Sequence, residues 1–457
     1  MTTQSPAQTP GASPETTPRK GVYFGWYIVA TFMFVALVTT GARNAFGVFI
    51  IPMSEEFGWS RGSISFAAAL GALLNGAVQP FVGRVFDATG GRKLILSGLA
   101  GVGLVTVLLS LTFHILFLVF MFGMVASFAL SGVSINNTSA LLARWFRRRR
   151  ATVMGLNAAG ASMGGMLIVP FAMYLLQATS WRLTWVALGL LILLLALPLA
   201  FIFIREYPSK MGLLPDGDQE PNGDAAVAAP QRGAGPLEAD KWSQPFRSLP
   251  IWQMSLSYMV CGSTTFLLSV HFVPYAIDRG VSPNMAATIF GFMLGLNVFG
   301  AIGAGLLADR FGRKNLLALV YFLRGSGYMI LLLPGLLGIT FLSGDAGLWF
   351  FAVVGGFSWW ATLPLTSSMT ADMYGLRTLG TVTGISFVFH QIGGFGSVWL
   401  AGVLYDVTGS YTIPFLIAGS LLFPAALSAF TIKERKYSSR YQPLTSVAPG
   451  VAASAGN

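Results

Sequence analysis

Long apolar segments alternate with short polar ones along this chain. A helix needs ~20 apolar residues to cross a bilayer, and the 457-residue sequence contains twelve such segments. We predict spanning helices at 24–51, 61–83, 94–113, 115–143, 151–177, 183–204, 250–274, 285–308, 315–334, 346–370, 379–404 and 411–432. The pattern therefore predicts an all-α integral membrane protein with twelve transmembrane helices.

The polar segments divide the chain into five parts. Residues 1–20 are rich in Pro, Ser and Thr, which favours a disordered cytoplasmic tail. Residues 205–247 contain "LPDGDQEPNGDAAVAAPQRGAGP" and form a cytoplasmic linker too short and too polar for a catalytic domain. We expect a six-helix bundle at 21–204, a second at 248–432, and a cytoplasmic tail at 433–457. The first apolar segment has no small-residue cleavage site, so we interpret it as a retained helix.

Composition excludes several functional classes. Only 10% of the residues are charged, against ~25% in soluble domains. A single cysteine, Cys261, permits neither an internal disulfide nor a cysteine-based zinc site. Three scattered histidines supply no metal cluster, and the chain shows no nucleophile paired with a base. We therefore expect neither an enzyme nor a bound metal or cofactor.

Basic residues concentrate on one side of the predicted helices. That side holds the run "RRRR" at 147–150 and most other Lys and Arg, whereas the far side keeps only Arg61, Arg182 and Arg279. This asymmetry predicts that both termini are cytoplasmic in the cell inner (plasma) membrane. Anionic lipid headgroups account for the basic run, so nucleic-acid binding is not expected.

One loop occurs twice. "GRVFDATGGRK" (83–93) follows the second span, and "GLLADRFGRK" (305–314) follows the eighth, with matching Gly and Asp positions 222 residues apart. Such repetition indicates an internal repeat. Glycine permits a tight turn, and an aspartate at a helix end can be held by a helix N-terminus or an arginine in one conformation and released in another. The predicted gating residues are Gly83, Asp87, Gly90, Arg92, Gly305, Asp309, Arg310, Gly312 and Arg313. The alternative is that they are ordinary turn and topology residues.

The second copy of the loop matches the signature of the major facilitator superfamily at every position, whereas the first departs at Ala88. With its twelve spans and central linker, the chain resembles this superfamily over nearly its whole length. The resemblance implies two pseudo-symmetric six-helix bundles around a central cavity that opens alternately to each side. That symmetry is a known property of the superfamily and is not worked out from this chain.

Further segments resemble one branch, the bacterial relatives of monocarboxylate transporters and oxalate/formate antiporters. They are "YFGWYIVA", "GARNAFGVF", "EEFGWSRGSIS", "ARWFRRRRATVMGLNAAGASMGG", "HFVPYAIDRG" and "LYDVTGSY". The resemblance places Arg43 where monocarboxylate transporters have a basic residue implicated in substrate or proton handling. Those transporters also carry a charged pair in span 8, where this chain offers only Asn297, which leaves the substrate and proton symport open.

Polar side chains inside the apolar segments are the candidates for contact with a solute. They are Arg43, His271, Asn297, Arg324, His390 and Gln391. Of the 17 carboxylates none is embedded, so none is placed to neutralise an intramembrane arginine. An unpaired embedded charge is costly, and the counter-charge can be the solute itself. The inventory therefore favours an anionic substrate.

Each candidate also has a structural alternative. Arg43, about eight residues or ~12 Å from the predicted end of its span, could extend its guanidinium to the headgroups instead of facing a pocket. Arg324 could bond to carbonyls of a neighbouring helix. His390 lies mid-span in a helix expected at the cavity, and His271 could line an outer gate or cap Pro274 to Tyr275. Asn136, Asn137 and Asn157 are expected to bond helix to helix.

The sequence as a whole predicts a secondary active transporter for a small organic anion, a mono- or dicarboxylate. It would work by alternating access, as proton symport or as antiport against a counter-anion. The alternatives are an exporter of amphiphilic drug-like compounds and a non-transporting membrane sensor, although a sensor would normally carry an output domain. The lipid bilayer is an expected partner, and the sequence does not set the oligomeric state.

Overall fold

The computed structural model describes residues 22–146, 149–217, 236–336, 345–359, 361–375 and 379–442. Within them it contains twelve helices that are long and apolar enough to cross a membrane, so the predicted number of spans is confirmed. The predicted tail at 1–20, residues 443–457 of the tail predicted at 433–457, and the centre of the linker at 218–235 lie outside the described residues.

The twelve helices fall into two sets of six. The first set is α1 Gly25–Phe57, α2 Arg61–Thr89, α3 Gly91–Leu111, α4 Ile115–Trp145, α5 Arg150–Ala178 and α6 Trp181–Phe203. The second set is α7 Leu249–Asp278, α8 Pro283–Phe311, α9 Arg313–Leu336, α10 Asp345–Tyr374, α11 Leu379–Thr408 and α12 Thr412–Thr431.

Several helices continue beyond the apolar segments that predicted them. Helix α1 runs to Phe57 instead of residue 51, α7 to Asp278 instead of 274, and α11 to Thr408 instead of 404. Gly58 and Gly409 follow the ends of α1 and α11 with φ of 66° each. A left-handed glycine ends a helix irrespective of hydropathy, whereas hydropathy marks only the lipid-embedded part.

Helix packing follows the two-bundle arrangement. Helix α1 packs along α5 in the first bundle, and the equivalent helices α7 and α11 pack together in the second. The bundles meet chiefly where α2 contacts α11 and where α5 contacts α8. Helix α2 is the equivalent of α8, and α5 is the equivalent of α11. The pseudo-symmetry that relates the bundles therefore converts one of these contacts into the other.

Equivalent helices α4 and α10 are both interrupted. Helix α4 breaks at Val133 and Ser134, and α10 breaks between Ser358 and Thr362. A break frees backbone carbonyls, which must be satisfied in a membrane. In α4 this is done by Asn137, whose Nδ2 donates to Ser131 O at 3.0 Å and Gly132 O at 3.2 Å.

Candidate functional site

Arg43 lies near the middle of α1, directly before a change of winding. Helix α1 is α-helical to Asn44 and tightens to a 3₁₀-helix over Ala45–Phe49. Gly47 in this segment meets α7, since a Cβ there would lie 2.6 Å from Val270 O. The glycine lets the two bundles touch at this point and holds the preceding turn, with Arg43, beside α7.

The guanidinium of Arg43 faces the second bundle instead of the membrane surface. Its Cζ lies 5.2 Å from the centre of the Phe266 ring on α7. Because α1 continues to Phe57, Arg43 is 14 residues from that end, or ~21 Å at 1.5 Å per residue. The added turns carry Glu55 and Glu56 and lie beyond the apolar residues, so the ~12 Å to the headgroups is unchanged. The contact with Phe266, and not the helix length, favours a position between the bundles.

Arg43 carries a charge that the described part of the protein does not neutralise. Among the described residues it has no hydrogen-bond or ion-pair partner, and its side chain remains partly exposed between the bundles. A cation–π contact is worth ~0.5–2 kcal/mol, less than the several kcal/mol that an embedded charge costs. An anion arriving between the bundles would supply the missing partner.

His390 lies close to Arg43, separated from it by one aromatic ring. Its imidazole centre is 5.8 Å from that of Phe266 and 4.6 Å from that of Tyr258, both on α7. Gly262 of α7 brings the helices together, since a Cβ there would lie 1.8 Å from His390 O. Arg43 and His390, two of the residues chosen from the sequence, thus both lie within 6 Å of the Phe266 ring centre.

Gln391 and Asn297 connect the two bundles. Gln391 Nε2 donates to Asn75 Oδ1 on α2 at 3.2 Å, and Asn297 Nδ2 on α8 donates to Ser162 Oγ on α5 at 2.8 Å. Both hydrogen bonds lie at the two helix pairs where the bundles meet. These amides therefore hold the bundle interface in this conformation.

Arg324 points into the second bundle, away from Arg43. It is 1% exposed and donates to the carbonyls of Ser358 and Trp359, the latter at 2.7 Å, where α10 breaks. It also contacts Cys261 Sγ at 3.5 Å and Thr264 Oγ1 at 3.2 Å. The C-terminal end of a helix carries partial negative charge, so the half-helix Asp345–Ser358 offsets this guanidinium. This geometry matches the structural alternative.

His271 belongs to a different place, at the end of the molecule that carries Arg61. We call this end the opposite side, and the end with the two repeated loops the basic side. Arg61 donates to Tyr411 Oη at 3.3 Å, which lies 3.2 Å from His271 Nδ1, and His271 Nε2 lies 3.0 Å from Val398 O. The Val398 carbonyl can only accept, so His271 Nε2–H donates to it, and in the neutral imidazole Nδ1 then accepts from the Tyr411 hydroxyl.

Arg61 also ties the bundles together on the opposite side, which the sequence analysis did not foresee. Its guanidinium pairs with Asp278 at the end of α7 at 2.6 and 2.9 Å. The backbone N–H groups of Arg61 and Gly62, in the first turn of α2, donate to Asp406 of α11 at 2.9 Å each. A carboxylate at a helix N-terminus is favoured by the helix dipole. We call Arg61, Asp278, Asp406, Tyr411 and His271 the Arg61 network.

A sequence signal for this network existed. The segments "EEFGWSRGSIS", "HFVPYAIDRG" and "LYDVTGSY" carried part of the resemblance to the transporter branch. Together they supply all five members of the Arg61 network. Three segments that are distant in sequence, but all typical of one branch, meet here in space.

Glycines distinguish the two sides of the bundle interface. On the opposite side Gly402 meets Gly62, since a Cβ on Gly402 would lie 2.7 Å from the Gly62 Cα. Near the middle of the interface a Cβ on Gly165 would lie 2.2 Å from Leu294 Cδ1. On the basic side, four glycines on the four interface helices have nothing within 4 Å; they are Gly83, Gly155, Gly303 and Gly384. The bundles are therefore closed on the opposite side and separated on the basic side.

The repeated loops have the same backbone. Gly90 has φ 90° and ψ 142°, and Gly312 has φ 87° and ψ 146°, a conformation that glycine adopts readily and other residues rarely. The side chains of Asp87 and Asp309 lie outside the described part of the structure, and Gly305 has no described contact. The role of these loops in gating stays a prediction.

Each loop is held by a glutamate that follows the last spanning helix of its own bundle. Glu206 accepts from the N–H groups of Gly91 and Arg92 at 3.0 and 2.8 Å, and Glu434 accepts from those of Arg313 and Lys314 at 3.2 and 3.0 Å. Arg144 pairs with Glu206, Arg313 pairs with Asp372, and Arg310 is exposed. The sequence signal is "IRE" at 204–206 and "IKE" at 432–434, which recur after the last span of each bundle.

Twelve spanning helices in two related bundles, closed against each other at one end and separated at the other, define a membrane transporter. The family model described as Major Facilitator Superfamily matches residues 32–398. The chain belongs to this superfamily, is a multi-pass membrane protein, and is not an enzyme.

Known proteins similar to this chain are transporters by name. "Uncharacterized MFS-type transporter YcxA" of Bacillus subtilis (strain 168) is 25% identical over 416 residues, covering 89% of this chain and 93% of that protein. "Monocarboxylate transporter 11" of Homo sapiens is 27% identical over 428 residues, covering 92% and 84%.

A solved structure confirms the fold. It is the inward-facing, unoccupied crystal structure of a bacterial homologue of the human lysosomal transporter Spinster, with a TM-score of 0.66, 14% identity, and coverage of 95% of this chain and 100% of that one. At this identity the likeness concerns the fold alone.

Proposed function

We propose that this protein is a secondary active transporter that moves a small organic anion, a mono- or dicarboxylate, between the two sides of the plasma membrane. The observation that carries the proposal is Arg43. It is a permanent cation near the middle of a spanning helix, it faces the space between the bundles, and no described residue pairs with it.

The surroundings of Arg43 suit a carboxylate. Guanidinium and carboxylate groups form charge-assisted hydrogen bonds in planar, two-point geometry. Phe266, which is partly exposed, offers apolar surface for the body of the solute, and the partly exposed His390 beside it adds a polar edge. Several relatives bear the name monocarboxylate transporter, which supports the same substrate class.

The transport cycle follows from the two ends of the bundle interface. The solute enters the described conformation from the basic side, which we assign to the cytoplasm because its loops hold most of the Lys and Arg. Release on the opposite side requires the Arg61 network to open. Coupling is to a proton or to a counter-anion. Uptake into vesicles that contain no carboxylate, driven by an imposed pH gradient, distinguishes them, because obligatory antiport needs a second anion inside the vesicle.

A stability-shift screen tests the substrate class. Purified protein is heated with individual mono- and dicarboxylates, and a ligand at 100 times its Kd stabilises by about 2.7 kcal/mol. We expect a shift with at least one carboxylate, its loss in Arg43→Gln, and its retention in Arg435→Gln, which removes an exposed positive charge. A shift of equal size in Arg43→Gln would contradict the proposal.

A further inference from the structure

A small cavity lies inside the first bundle, beside Arg43. It has a volume of about 20 Å³ and is bordered by Thr39 and Arg43 of α1, Thr106 of α3, Phe122 of α4 and Trp185 of α6. A volume above ~10–15 Å³ accommodates one water-sized atom. The cavity can therefore take a single oxygen atom or a halide ion, and not a whole organic acid.

Trp185, which borders this cavity, has an unused hydrogen-bond donor. The residue is 1% exposed, its ring stacks on Phe49 at 3.8 Å, and its Nε1 has no hydrogen-bond partner among the described residues. Leaving a buried donor unpaired costs ~1–3 kcal/mol. By contrast Trp181, one turn earlier on α6, donates its Nε1–H to Glu56 at 2.6 Å.

The other polar groups at the cavity do not meet this need. Thr39 donates its hydroxyl proton to Val35 O at 2.8 Å, and Thr106 donates to Val102 O at 2.7 Å, each within its own helix. The cavity is thus bordered by two donors that have no described acceptor, a guanidinium and an indole N–H. A pair of this kind is complementary to an acceptor atom that carries negative charge.

We propose that Trp185 is a substrate-binding residue: one oxygen of the bound carboxylate enters this cavity and accepts the Trp185 Nε1–H while Arg43 pairs with the carboxylate. The body of the acid then extends from Arg43 past Phe266 into the space between the bundles. This inference rests on the proposed function and deepens it, since it adds a second donor and orients the substrate. A free halide ion can accept from the same two donors. The experiment below distinguishes a bound halide from a bound carboxylate.

The test uses two conservative substitutions on one helix. Trp185→Phe keeps an aromatic ring against Phe49 and removes only the indole N–H, whereas Trp181→Phe removes an N–H that Glu56 already accepts. Sodium propionate and sodium chloride are each titrated into the purified full-length protein. The buffer is phosphate and contains no other carboxylate and no other halide. Calorimetry and thermal stability report binding and folding separately.

We expect propionate to bind about tenfold more weakly to Trp185→Phe and unchanged to Trp181→Phe, a loss of about 1.4 kcal/mol. Chloride that binds alone and depends on Trp185 would instead identify a halide at the same two donors. Equal propionate affinity in Trp185→Phe and the unaltered protein, with binding still lost in Arg43→Gln, would overturn this inference and leave the proposed function standing. If the unaltered protein binds neither chloride nor any carboxylate of the stability-shift screen, both fail.

Discussion

Arg43 and Arg324 are both embedded arginines, and their surroundings differ. Arg43 has a single ring contact and no described acceptor. Arg324 donates hydrogen bonds to the backbone carbonyls that the break in α10 leaves free. An embedded charge without a partner reduces the stability of the fold. Removing a buried charge that has partners leaves those partners without a hydrogen bond. One arginine is therefore available to a solute, and the other serves the fold.

Substituting the two arginines by glutamine should therefore change the free energy of unfolding in opposite directions when no substrate is present. Arg43→Gln should raise the free energy of unfolding by about 1–3 kcal/mol, because it removes an uncompensated embedded charge. Arg324→Gln should lower it by ~1–3 kcal/mol for each of the two carbonyls left unpaired. Thermal unfolding of both variants in one detergent measures this. Equal destabilisation by both would contradict the distinction.

For single residues, the sequence indicates which side chains are candidates for function but not which groups they contact. Arg43, Arg324 and His390 were all visible as polar residues in apolar segments. Hydropathy cannot show that Arg324 turns toward a broken helix while Arg43 turns toward Phe266, because those partners lie on helices distant in sequence. Trp185 gave no signal, since a tryptophan near a helix end is ordinary in a membrane protein.

Among the helices, the opposite-side ends of α2, α7 and α11 hold the bundles together. Among the described residues, two ion pairs lie on that side. Arg61–Asp278 joins the bundles, whereas Arg182–Glu56 lies within the first bundle at a similar short distance, with both N···O contacts at 2.6 Å. Only the first must break for the opposite side to open.

Asp278→Asn and Asp406→Asn should therefore favour opening on the opposite side, with Glu56→Gln as the matched control. Because Cys261 is the only cysteine, spin labels can be placed at Ala178→Cys and Asn284→Cys on a Cys261→Ser background. We expect label-to-label distances in both Asp variants to be longer than in the labelled protein without these substitutions. In Glu56→Gln we expect the distances to be unchanged. An unaltered distance distribution in all three would show that the Arg61 network does not hold this side closed.

The helices themselves were largely predictable. Twelve apolar runs sufficed to find them, because a bilayer imposes both length and hydropathy on a span. Their ends were less predictable, since Gly58 and Gly409 end α1 and α11 beyond the apolar residues. The break in α10 was not foreseen, because its carbonyls are satisfied by Arg324 from another helix.

Over the whole molecule, the four glycines on the basic side face space in this conformation. If the basic side closes as the opposite side has closed, these glycines come into contact, as Gly62 and Gly402 already are. A side chain added there is accommodated in the described conformation and obstructs the closed one. The repeat relating the bundles makes this symmetry of closure physically reasonable.

Gly384→Leu should therefore fold normally and transport at least tenfold more slowly, because it holds the basic side open. Gly396→Leu is the matched control: it lies on the same helix, has nothing within 4 Å, and borders a groove between α7, α11 and α12 instead of the bundle interface. Initial uptake rates in vesicles compare the two. Similar rates in both variants would contradict closure at Gly384.

The central claim is that Arg43 binds the transported carboxylate. Its most direct test is uptake of a radiolabelled carboxylate, chosen by the stability-shift screen, into vesicles containing the purified protein under an imposed gradient. We predict saturable uptake that falls to the level of protein-free vesicles in Arg43→Gln and stays within twofold of the unaltered protein in Arg435→Gln. Undiminished uptake by a folded Arg43→Gln protein would contradict the claim.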